Sequence, residues 1–487
     1  MSDAWDESGS GQGAPVWAPG YGHLTGDIAP IPFRFRAVPE DFVVREVPEE
    51  LEDEGEAAQG VQEEPGVGDV HREKSAGGGT HWYFDLEKRG LGTVEAVQRI
   101  ARALGRRDFE IGYAGRKDAF AVTSQRISIE HVDPAQVEAL ELNGITLRRV
   151  AAFGRKLRLG ALRGNRFELR LLELDPRRRA DFESVLDVLS REGLPNYFGE
   201  QRFGRRGLSF RLGRCLIAGD PHAYLCELLS PDHIGPNPAV EELASALHGA
   251  TRSAQRRLTR LTPKLPPDLA AVAKQLARRP NDWAAALRAV PKRTRRFHLS
   301  AFQSRVFNRV LSARLSTATG PRFAELWPGD VAFEHESRRS FPIPAEEPVP
   351  EELVARCGAL ELSPSGPLPG SSLPRAAAEA GILEAQALAA EGLSHEDLAG
   401  FEPGFRAGGA RRPLRVPVTE LESVWRPPDE EGFPAGKAEV RLRFRLPSGS
   451  FATSLLEELR KRFAGESRAI GPIPGGGDGI GAAPDPA

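Results

Sequence analysis

Residues 438–446 read AEVRLRFRL, near the end of a chain of 487 residues. Every second residue from 440 to 446 is apolar, and the residues between them are charged. This period of two is typical of a strand that buries one face. The stretch therefore predicts a sheet strand with a basic outer face, and the sequence after it predicts a helix over residues 454–463.

The first part of the chain carries similar strand patterns. They occupy residues 33–35, 41–47, 82–87, 124–130 and 167–174. A helix pattern between the third and the fourth begins at Thr93, a candidate N-cap, and ends at Gly105. Separate strands with intervening helices predict an α+β sheet domain. We predict that residues 82–87 form a half-buried strand, with Trp82, Phe84 and Leu86 on its inner face.

The middle of the chain has a different composition. From about residue 220, segments rich in Ala, Leu and Arg and punctuated by Pro predict mostly helices, as in residues 300–315. Strand character returns only at residue 438. The simplest interpretation is that the late strand completes the first domain and that the helical middle is inserted within it.

Three polar segments are predicted to lie outside the packed fold. Residues 1–28 and 466–487 are expected to be disordered tails, because they have too little apolar content to repay ordering. Residues 49–79 are expected to form an acidic disordered loop, since nine acidic residues and no Lys or Arg lie between residues 49 and 69.

Composition excludes several classes of protein. With 40% apolar and 27% charged residues, the chain is typical of soluble globular proteins. No run of 18 apolar residues and no secretion signal occurs, so we expect a cytoplasmic protein without a membrane partner. The three cysteines have unrelated spacings, so neither a disulfide framework nor a CxxC metal or redox motif is expected. Phosphate-loop, complete dinucleotide and HExxH motifs are absent, so no nucleotide cofactor, other cofactor or metal is expected.

Two windows are strongly basic. Residues 155–214 contain 15 basic and 8 acidic residues, and residues 251–298 contain 13 basic and 2 acidic ones. Clustered positive charge of this density is expected of a protein that binds a polyanion. The alternative is that arginine-rich helices merely present solvated faces.

Three short segments are candidates for chemistry. Residues 112–123, GYAGRKDAFAVT, present Lys117 and Asp118 in a turn, either as an ordinary Asx-turn or as a carboxylate held in a cationic groove. Residues 196–204, NYFGEQRFG, combine amides and aromatics that could pack in the core or bind bases. Residues 447–454, PSGSFATS, lead into a helix and could be a plain cap or a phosphate contact.

Five motifs follow one another along the chain: PEDFVVREV (39–47), YAGRKDAFAVT (113–123), RKLRLGALRGNRF (155–167), NYFGEQRFG (196–204) and LPSGSFATS (446–454). Together they resemble the TruD family of tRNA pseudouridine synthases. The resemblance runs from about residue 33 to residue 463. Five ordered motifs together are far more specific than any one of them.

The resemblance implies a catalytic α+β domain in two parts, residues 29–221 and 416–465, with a mostly helical family-specific insertion domain over residues 222–415. It implies an isomerase that converts uridine to pseudouridine at tRNA position 13 without cofactor or metal. The expected partner is tRNA, and we expect a monomer.

The resemblance also implies the site residues. Asp118 corresponds to the catalytic aspartate. Residues at substrate-contacting positions are Phe42, Asn196 and Phe451, with Phe198 as the aromatic that packs beside the target base, and the matched polar positions are Lys117, Glu46 and Arg36. The chain has Ala119 and Phe120 where many relatives carry basic or histidine residues, a difference that concerns the RNA contacts around the aspartate.

A single carboxylate limits the chemistry. In this interpretation Asp118 is ionised beside a cation such as Lys117. It either attacks C1′, assists formation of a glycal, or adds to C6 of the uracil. The alternatives are a non-catalytic RNA-binding protein, a pseudouridine synthase that acts on another RNA, and a glycosidase or nucleosidase, although no second carboxylate is tied to Asp118 by spacing.

Overall fold

The computed structural model describes residues 16–49, 80–204, 206–235, 237–247, 252–316, 323–399, 409–426 and 436–462. Packing of the backbone divides the chain into two compact units. We call residues 27–196 and 415–460 the sheet unit, and residues 1–26, 197–414 and 461–487 the helical unit. The predicted acidic loop from residue 50 onward, residues 1–15 of the predicted N-terminal tail and the whole of the predicted C-terminal tail lie outside the described residues.

The described residues form strands in the first and last parts of the chain and an uninterrupted run of helices from α4 to α11 in the middle. The strands are β1 (Arg34–Phe35), β2 (Phe42–Pro48), β3 (His81–Arg89), β4 (Ile111–Tyr113), β5 (Val122–Glu130), β6 (Ile145–Phe153), β7 (Leu162–Leu174), β8 (Leu194–Pro195), β9 (Val331–Glu334), β10 (Ser340–Pro342), β11 (Leu362–Leu368), β12 (Ala410–Pro413), β13 (Arg415–Val416), β14 (Thr419–Arg426) and β15 (Ala438–Pro447). The helices are α1 (Thr93–Ala103), α2 (Pro134–Glu138), α3 (Arg179–Glu192), α4 (Ser209–Ile217), α5 (Pro221–Leu228), α6 (Pro231–Ile234), α7 (Pro238–Leu247), α8 (Arg252–Leu261), α9 (Pro267–Arg278), α10 (Trp283–Ala289), α11 (Lys292–Leu315), α12 (Glu351–Gly358), α13 (Ala378–Ala389), α14 (His395–Ala399) and α15 (Ala452–Arg460).

A nine-stranded sheet organises the sheet unit. Its order is β14-β15-β7-β2-β5-β3-β6, with β1 against β7 and β4 against β5. β2 and β5 run parallel, whereas β15 and β7 run antiparallel and place Phe444 opposite Phe167. The late alternating stretch thus joins the sheet that the first part of the chain forms. β2, β5 and β7 are central strands. Phe42 and Glu46 lie on β2, and β5 begins four residues after Asp118.

Helices α1 and α2 pack with strands β3 to β6 in one apolar cluster that includes Phe84, Ile100 and Ile127. The prediction of a half-buried β3 is wrong on its outer face. Tyr83 is buried, packs with Leu157 and donates its hydroxyl hydrogen to the carbonyl oxygen of Arg155 at 3.0 Å. The chain after β6 therefore covers a face that the alternation assigned to solvent.

The helical unit is built around α11. Between residues 298 and 314 this helix buries side chains around most of its circumference, as expected of a helix at the centre of a core. A four-stranded sheet of order β10-β9-β11-β12 belongs to the same unit. No described helix in either unit is long and apolar enough to cross a membrane.

The prediction of a disordered N-terminal tail is wrong for residues 16–28. Trp17 stacks on Phe203 with ring centroids 5.3 Å apart, and Tyr21 stacks on Tyr197 at 4.0 Å. These aromatic side chains bury enough apolar surface to order a segment whose other residues are mostly polar or glycine.

The border between the units differs from the domain border expected at residue 221. Residues 197–221 belong to the helical unit, because α4 packs against α11 and buries Phe210 and Leu212 in its core. The interpretation of residues 222–415 as a family-specific insertion stays a prediction.

The crossing of α4 and α11 supplies a stability test. A Cβ atom at Gly213 would lie 2.2 Å from the carbonyl oxygen of His298 and 2.7 Å from the Cβ of Phe302. We expect Gly213→Ala to lower the free energy of unfolding by about 1–3 kcal/mol in urea denaturation, because the helices must move apart.

Gly358 is the matched control, since it is an exposed helical glycine whose added Cβ would meet nothing within 4 Å in the described structure. We expect Gly358→Ala to leave stability unchanged or to raise it by up to about 1 kcal/mol. Equal losses in the two variants would contradict a close crossing at Gly213.

Candidate active site

Asp118 lies in the loop between β4 and β5, and its side chain is 38% exposed. The loop is held by hydrogen bonds to its backbone. The Oγ1 of Thr93 accepts the N–H of Lys117 at 2.8 Å and donates to the Oε1 of Gln125 at 2.7 Å. The Nε2 of Gln125 in turn donates to the carbonyl oxygen of Gly115 at 3.0 Å. The loop is therefore fixed from α1 and from β5.

Thr93 does not act as the predicted N-cap. The cap residue of α1 is Gly92, and Thr93 is the first helical residue. Its hydroxyl group bonds the Asp118 loop instead of the helix's own N–H groups. Gly105, the predicted end of the helix, has the left-handed backbone that such a position requires, with φ of 64°.

Lys88 anchors the loop by a hydrogen bond to its backbone. Its side chain comes from β3, and its Nζ donates to the carbonyl oxygen of Asp118 at 2.8 Å and to that of Leu91. Lys88 is only 1% exposed. Burial lowers its pKa to about 8, although the nearby Asp118 carboxylate opposes the shift. Lys88 therefore combines a backbone anchor with a positive charge close to Asp118.

Lys88 is not among the site residues predicted from the sequence. The pattern contained a usable indication, because Lys88 follows Phe84 and Leu86 at the same alternate positions of β3, the positions that face the core. A lysine at a core-facing position needs acceptors, and backbone carbonyl groups are among the few that a strand end can offer.

Arg36 is the cation that pairs with Asp118. Its Nη2 lies 3.3 Å from the Oδ2 of Asp118. The guanidinium carbon lies 4.1 Å from the centroid of the Phe42 ring, a cation–π distance, and Arg36 adopts a left-handed backbone with φ of 64°. Burial lowers the pKa of Arg36, and the Asp118 carboxylate counteracts this.

The PEDF motif holds Arg36 in place. The carboxylate of Asp41 accepts the N–H groups of Ala37 at 2.7 Å and Val38 at 3.0 Å. Asp41 is itself buried and lies 3.3 Å from the Nη1 of Arg170. The motif therefore closes the turn that directs Arg36 towards Asp118. Phe42 itself is buried, with the Arg36 guanidinium over its ring.

Lys117 is not the partner of Asp118 that we expected. Its Nζ lies 2.8 Å from the Oε2 of Glu46 and donates to the Oδ1 of Asn165 at 2.6 Å. The other oxygen of Glu46 accepts the N–H of Arg126 at 3.1 Å. Glu46 and Asn165 are directly paired in the β2–β7 register, so Lys117 ties the loop to two central strands. Lys117 therefore forms its ion pair with Glu46, and the cation that pairs with Asp118 is Arg36.

The remaining predicted residues lie in different settings. Asn196 is buried at the end of the first part of the sheet unit, and Phe451 is exposed in the turn before α15. Phe198 belongs to the helical unit. Its ring packs edge-on against Phe307 at 5.5 Å and lies under the guanidinium of Arg412 at 4.0 Å. The substrate contacts assigned to these residues and to Phe42 stay predictions.

The described residues contain no group of three or more His, Cys, Asp and Glu side chains that could hold a metal ion. What they bring together is one partly exposed carboxylate, an arginine beside it, and a separate buried lysine and glutamate pair. This arrangement can supply a nucleophile or a base with a fixed orientation.

Comparison with known proteins matches this chain to one family. The model of tRNA pseudouridine synthase D (TruD) matches residues 20–459. The chain belongs to the tRNA pseudouridine synthase D family. A tRNA pseudouridine synthase D from Geobacter sulfurreducens is 36% identical over 453 residues, covering 90% of this chain and 97% of that protein. One from Geobacter sp. strain M21 is 34% identical over 455 residues, covering 90% of this chain and 99% of the relative.

A solved structure supports the fold of this chain. A crystal structure of a Methanosarcina mazei protein assigned to tRNA pseudouridine synthase D has a TM-score of 0.67 and 23% sequence identity, and it covers 91% of this chain and 96% of its own. The predictions of the TruD family, of an α+β fold and of an isomerase are confirmed.

The buried amine of Lys88 predicts a pH dependence of stability. Its pKa is about 8 in the folded protein and ordinarily 10.5. Between these pH values the unfolded chain keeps a proton on Lys88 that the folded protein releases, so this group makes the free energy of unfolding rise with pH. Lys88→Met abolishes the contribution. We therefore expect the difference in unfolding free energy, wild type minus variant, to increase from about pH 8 to about pH 10.5 in urea titrations. A difference that stays flat or decreases would contradict the lowered pKa.

Proposed function

We propose that the protein isomerises uridine 13 of tRNA to pseudouridine, with Asp118 as the catalytic carboxylate. The observation that carries the proposal is the geometry of one loop. In a chain of the tRNA pseudouridine synthase D family, the carboxylate of Asp118 is partly exposed, Arg36 lies 3.3 Å from one of its oxygens, and Lys88 and Thr93 bond the backbone on each side of its side chain.

The reaction rearranges one nucleotide without gain or loss of atoms. The bond between N1 of uracil and C1′ of ribose breaks, the base rotates, and a bond forms between C5 and C1′. The proton of C5 is released, and N1 gains a proton. No oxidant, reductant or group donor is required, so ordinary side chains suffice.

Asp118 fits three versions of this chemistry. It attacks C1′ to detach the base, it assists formation of a glycal that detaches the base, or it adds to C6 of the uracil. All three need an oxygen that points to the nucleotide in a fixed direction. Arg36 orients the Oδ2, and the backbone anchors at Lys117 and Asp118 keep the loop from turning away. Such fixed orientation is what positioning contributes to a rate.

The substrate base must leave its stack in folded RNA before it reaches Asp118. Turning a base outward costs a few kcal/mol, and stacking on an aromatic side chain returns about 1–3 kcal/mol per base. Phe42, Phe198 and Phe451 are the proposed aromatic contacts, with Asn196 as an amide contact. The basic windows are proposed to bind phosphates, which positions the tRNA without reading its sequence.

Removal of the carboxylate tests the proposed role of Asp118. We expect Asp118→Asn to abolish release of tritium from tRNA labelled at C5 of uridine, because the amide is a poor nucleophile and base, while tRNA affinity changes less than about threefold. Asp85→Asn is a matched control. Asp85 also pairs with an arginine, Arg126, at 3.2 Å and is 32% exposed. We expect this control to keep wild-type turnover, and tritium release by Asp118→Asn would overturn the assignment.

The basic start of α11 tests the proposed phosphate contacts. We expect charge reversal of Arg293, Arg295 and Arg296 to glutamate to weaken tRNA binding and to flatten its dependence on salt, by about 0.9 in slope for each phosphate that the variant no longer neutralises. Arg356→Glu is the control in the same unit, because Arg356 already pairs with Glu334 and Glu361. A slope equal to that of the wild type would remove the three arginines from the RNA contact.

Mapping of pseudouridines tests the target position. In cells that lack the protein, tRNA should lose pseudouridine at position 13 and regain it when the gene is restored. Loss at another RNA position would instead support a synthase with a different substrate. Free uracil as the product would favour a nucleosidase, and binding without any turnover would favour a non-catalytic RNA-binding protein.

A further inference from the structure

We infer that Arg116 and Phe120 form a flanking contact for the RNA, in which Phe120 stacks on a base next to the target uridine and Arg116 binds a backbone phosphate. The inference rests on the proposed function, and it adds two substrate-binding residues to the proposed site. Both belong to the Asp118 loop, and each lies two residues from Asp118, one before it and one after it.

The first observation is exposure. Phe120 is 44% exposed, although it is a large apolar side chain. Arg116 is exposed, and its guanidinium forms an ion pair with no carboxylate of the described chain. Proteins hold unpaired nucleotides with exposed aromatic rings and arginines of one loop or groove, since the rings stack on bases and the cations neutralise phosphates.

The second observation is that this exposure is not a result of a loose loop. The N–H of Lys117 and the carbonyl oxygen of Asp118 are hydrogen bonded to Thr93 and Lys88. The carbonyl oxygen of Ala121 accepts the N–H of Gly90 at 3.1 Å. The backbone is thus fixed on both sides of Phe120, while its ring remains largely in water. A backbone fixed in advance loses little further conformational entropy when a ligand stacks on the Phe120 ring.

The third observation is that two more exposed apolar side chains adjoin the site residues in sequence. Val38 follows Arg36 by two residues, and Val94 follows Thr93 directly. Other exposed apolar side chains of the sheet unit lie elsewhere in the chain, at Phe109, Leu159, Val424 and Phe451. Exposed apolar side chains next to the residues of a proposed site favour a contact surface there. The charge of Arg116 and the proposed chemistry of Asp118 make a nucleic acid the fitting occupant.

The two residues should contribute in different ways. Stacking on the Phe120 ring is independent of salt and tolerant of base identity. The contact of Arg116 with a phosphate releases counterions, so it should decrease steeply with salt concentration. This difference allows each part of the flanking contact to be measured separately.

The experiment measures binding of an unmodified tRNA transcript to full-length protein by fluorescence anisotropy in an Asp118→Asn background, which prevents turnover. We expect Phe120→Ala to raise Kd about tenfold and Phe120→Trp to restore it, because tryptophan also stacks. Arg116→Gln should reduce the salt slope by about one. In the Asp118-containing protein, the enzyme concentration that gives the half-maximal single-turnover rate should rise about tenfold for Phe120→Ala, since the loss concerns binding.

Phe109→Ala is the matched control, because Phe109 is 63% exposed in the same unit and outside the loop. Its Kd should equal that of the parent protein. Equal binding by Phe120→Ala and Phe109→Ala would overturn the stacking role, and an unchanged slope for Arg116→Gln would overturn the phosphate contact. If the wild type neither binds the transcript nor forms pseudouridine, the proposed function itself fails, so the two failures are distinguishable.

Discussion

The ion pair between Lys117 and Glu46 fixes the Asp118 loop to the centre of the sheet, and much of the site depends on it. Both side chains are buried, and Asn165 accepts a further hydrogen bond from the ammonium group. Removing one partner of such a pair leaves a buried charge without compensation, at a cost of about 3–5 kcal/mol. Strands β2 and β7 therefore determine where the loop begins its turn, and the position of Asp118 follows from that turn.

Two carboxylates near the loop, Glu46 and Asp118, lie in different surroundings. Glu46 is buried and bound by Lys117 and by the N–H of Arg126, so its oxygens are occupied within the sheet. Asp118 is only partly covered, and its cation comes from a different strand end. Neighbouring positions in one loop thus have opposite roles: Lys117 stabilises the fold, and Asp118 faces outward. A second carboxylate next to Asp118 would have raised the cost of its charge.

Some of this organisation was predictable from local patterns. The alternation in residues 167–174 and 438–446 correctly predicted two strands of one sheet, because a period of two is a direct consequence of strand geometry. Ordered motifs correctly indicated the family. The same local rules failed at Thr93, Tyr83 and residues 16–28. In each case a segment distant in sequence, the Asp118 loop, the chain after β6 or the aromatic residues of the helical unit, supplied the deciding contact.

The periodicity of the amino-acid sequence by itself determined the α+β class and the main strands and helices. Its ordered motifs determined the family, and the candidate aspartate is what the resemblance to that family implies. Only the tertiary structure decided which cation forms an ion pair with which carboxylate. Lys117 adjoins Asp118 in the chain and yet pairs with Glu46, whereas Arg36, more than eighty residues away, reaches Asp118. The physical reason is that the side chains of Lys117 and Asp118, although consecutive, reach different partners, so the partner of a charge is set by which strands meet at the loop.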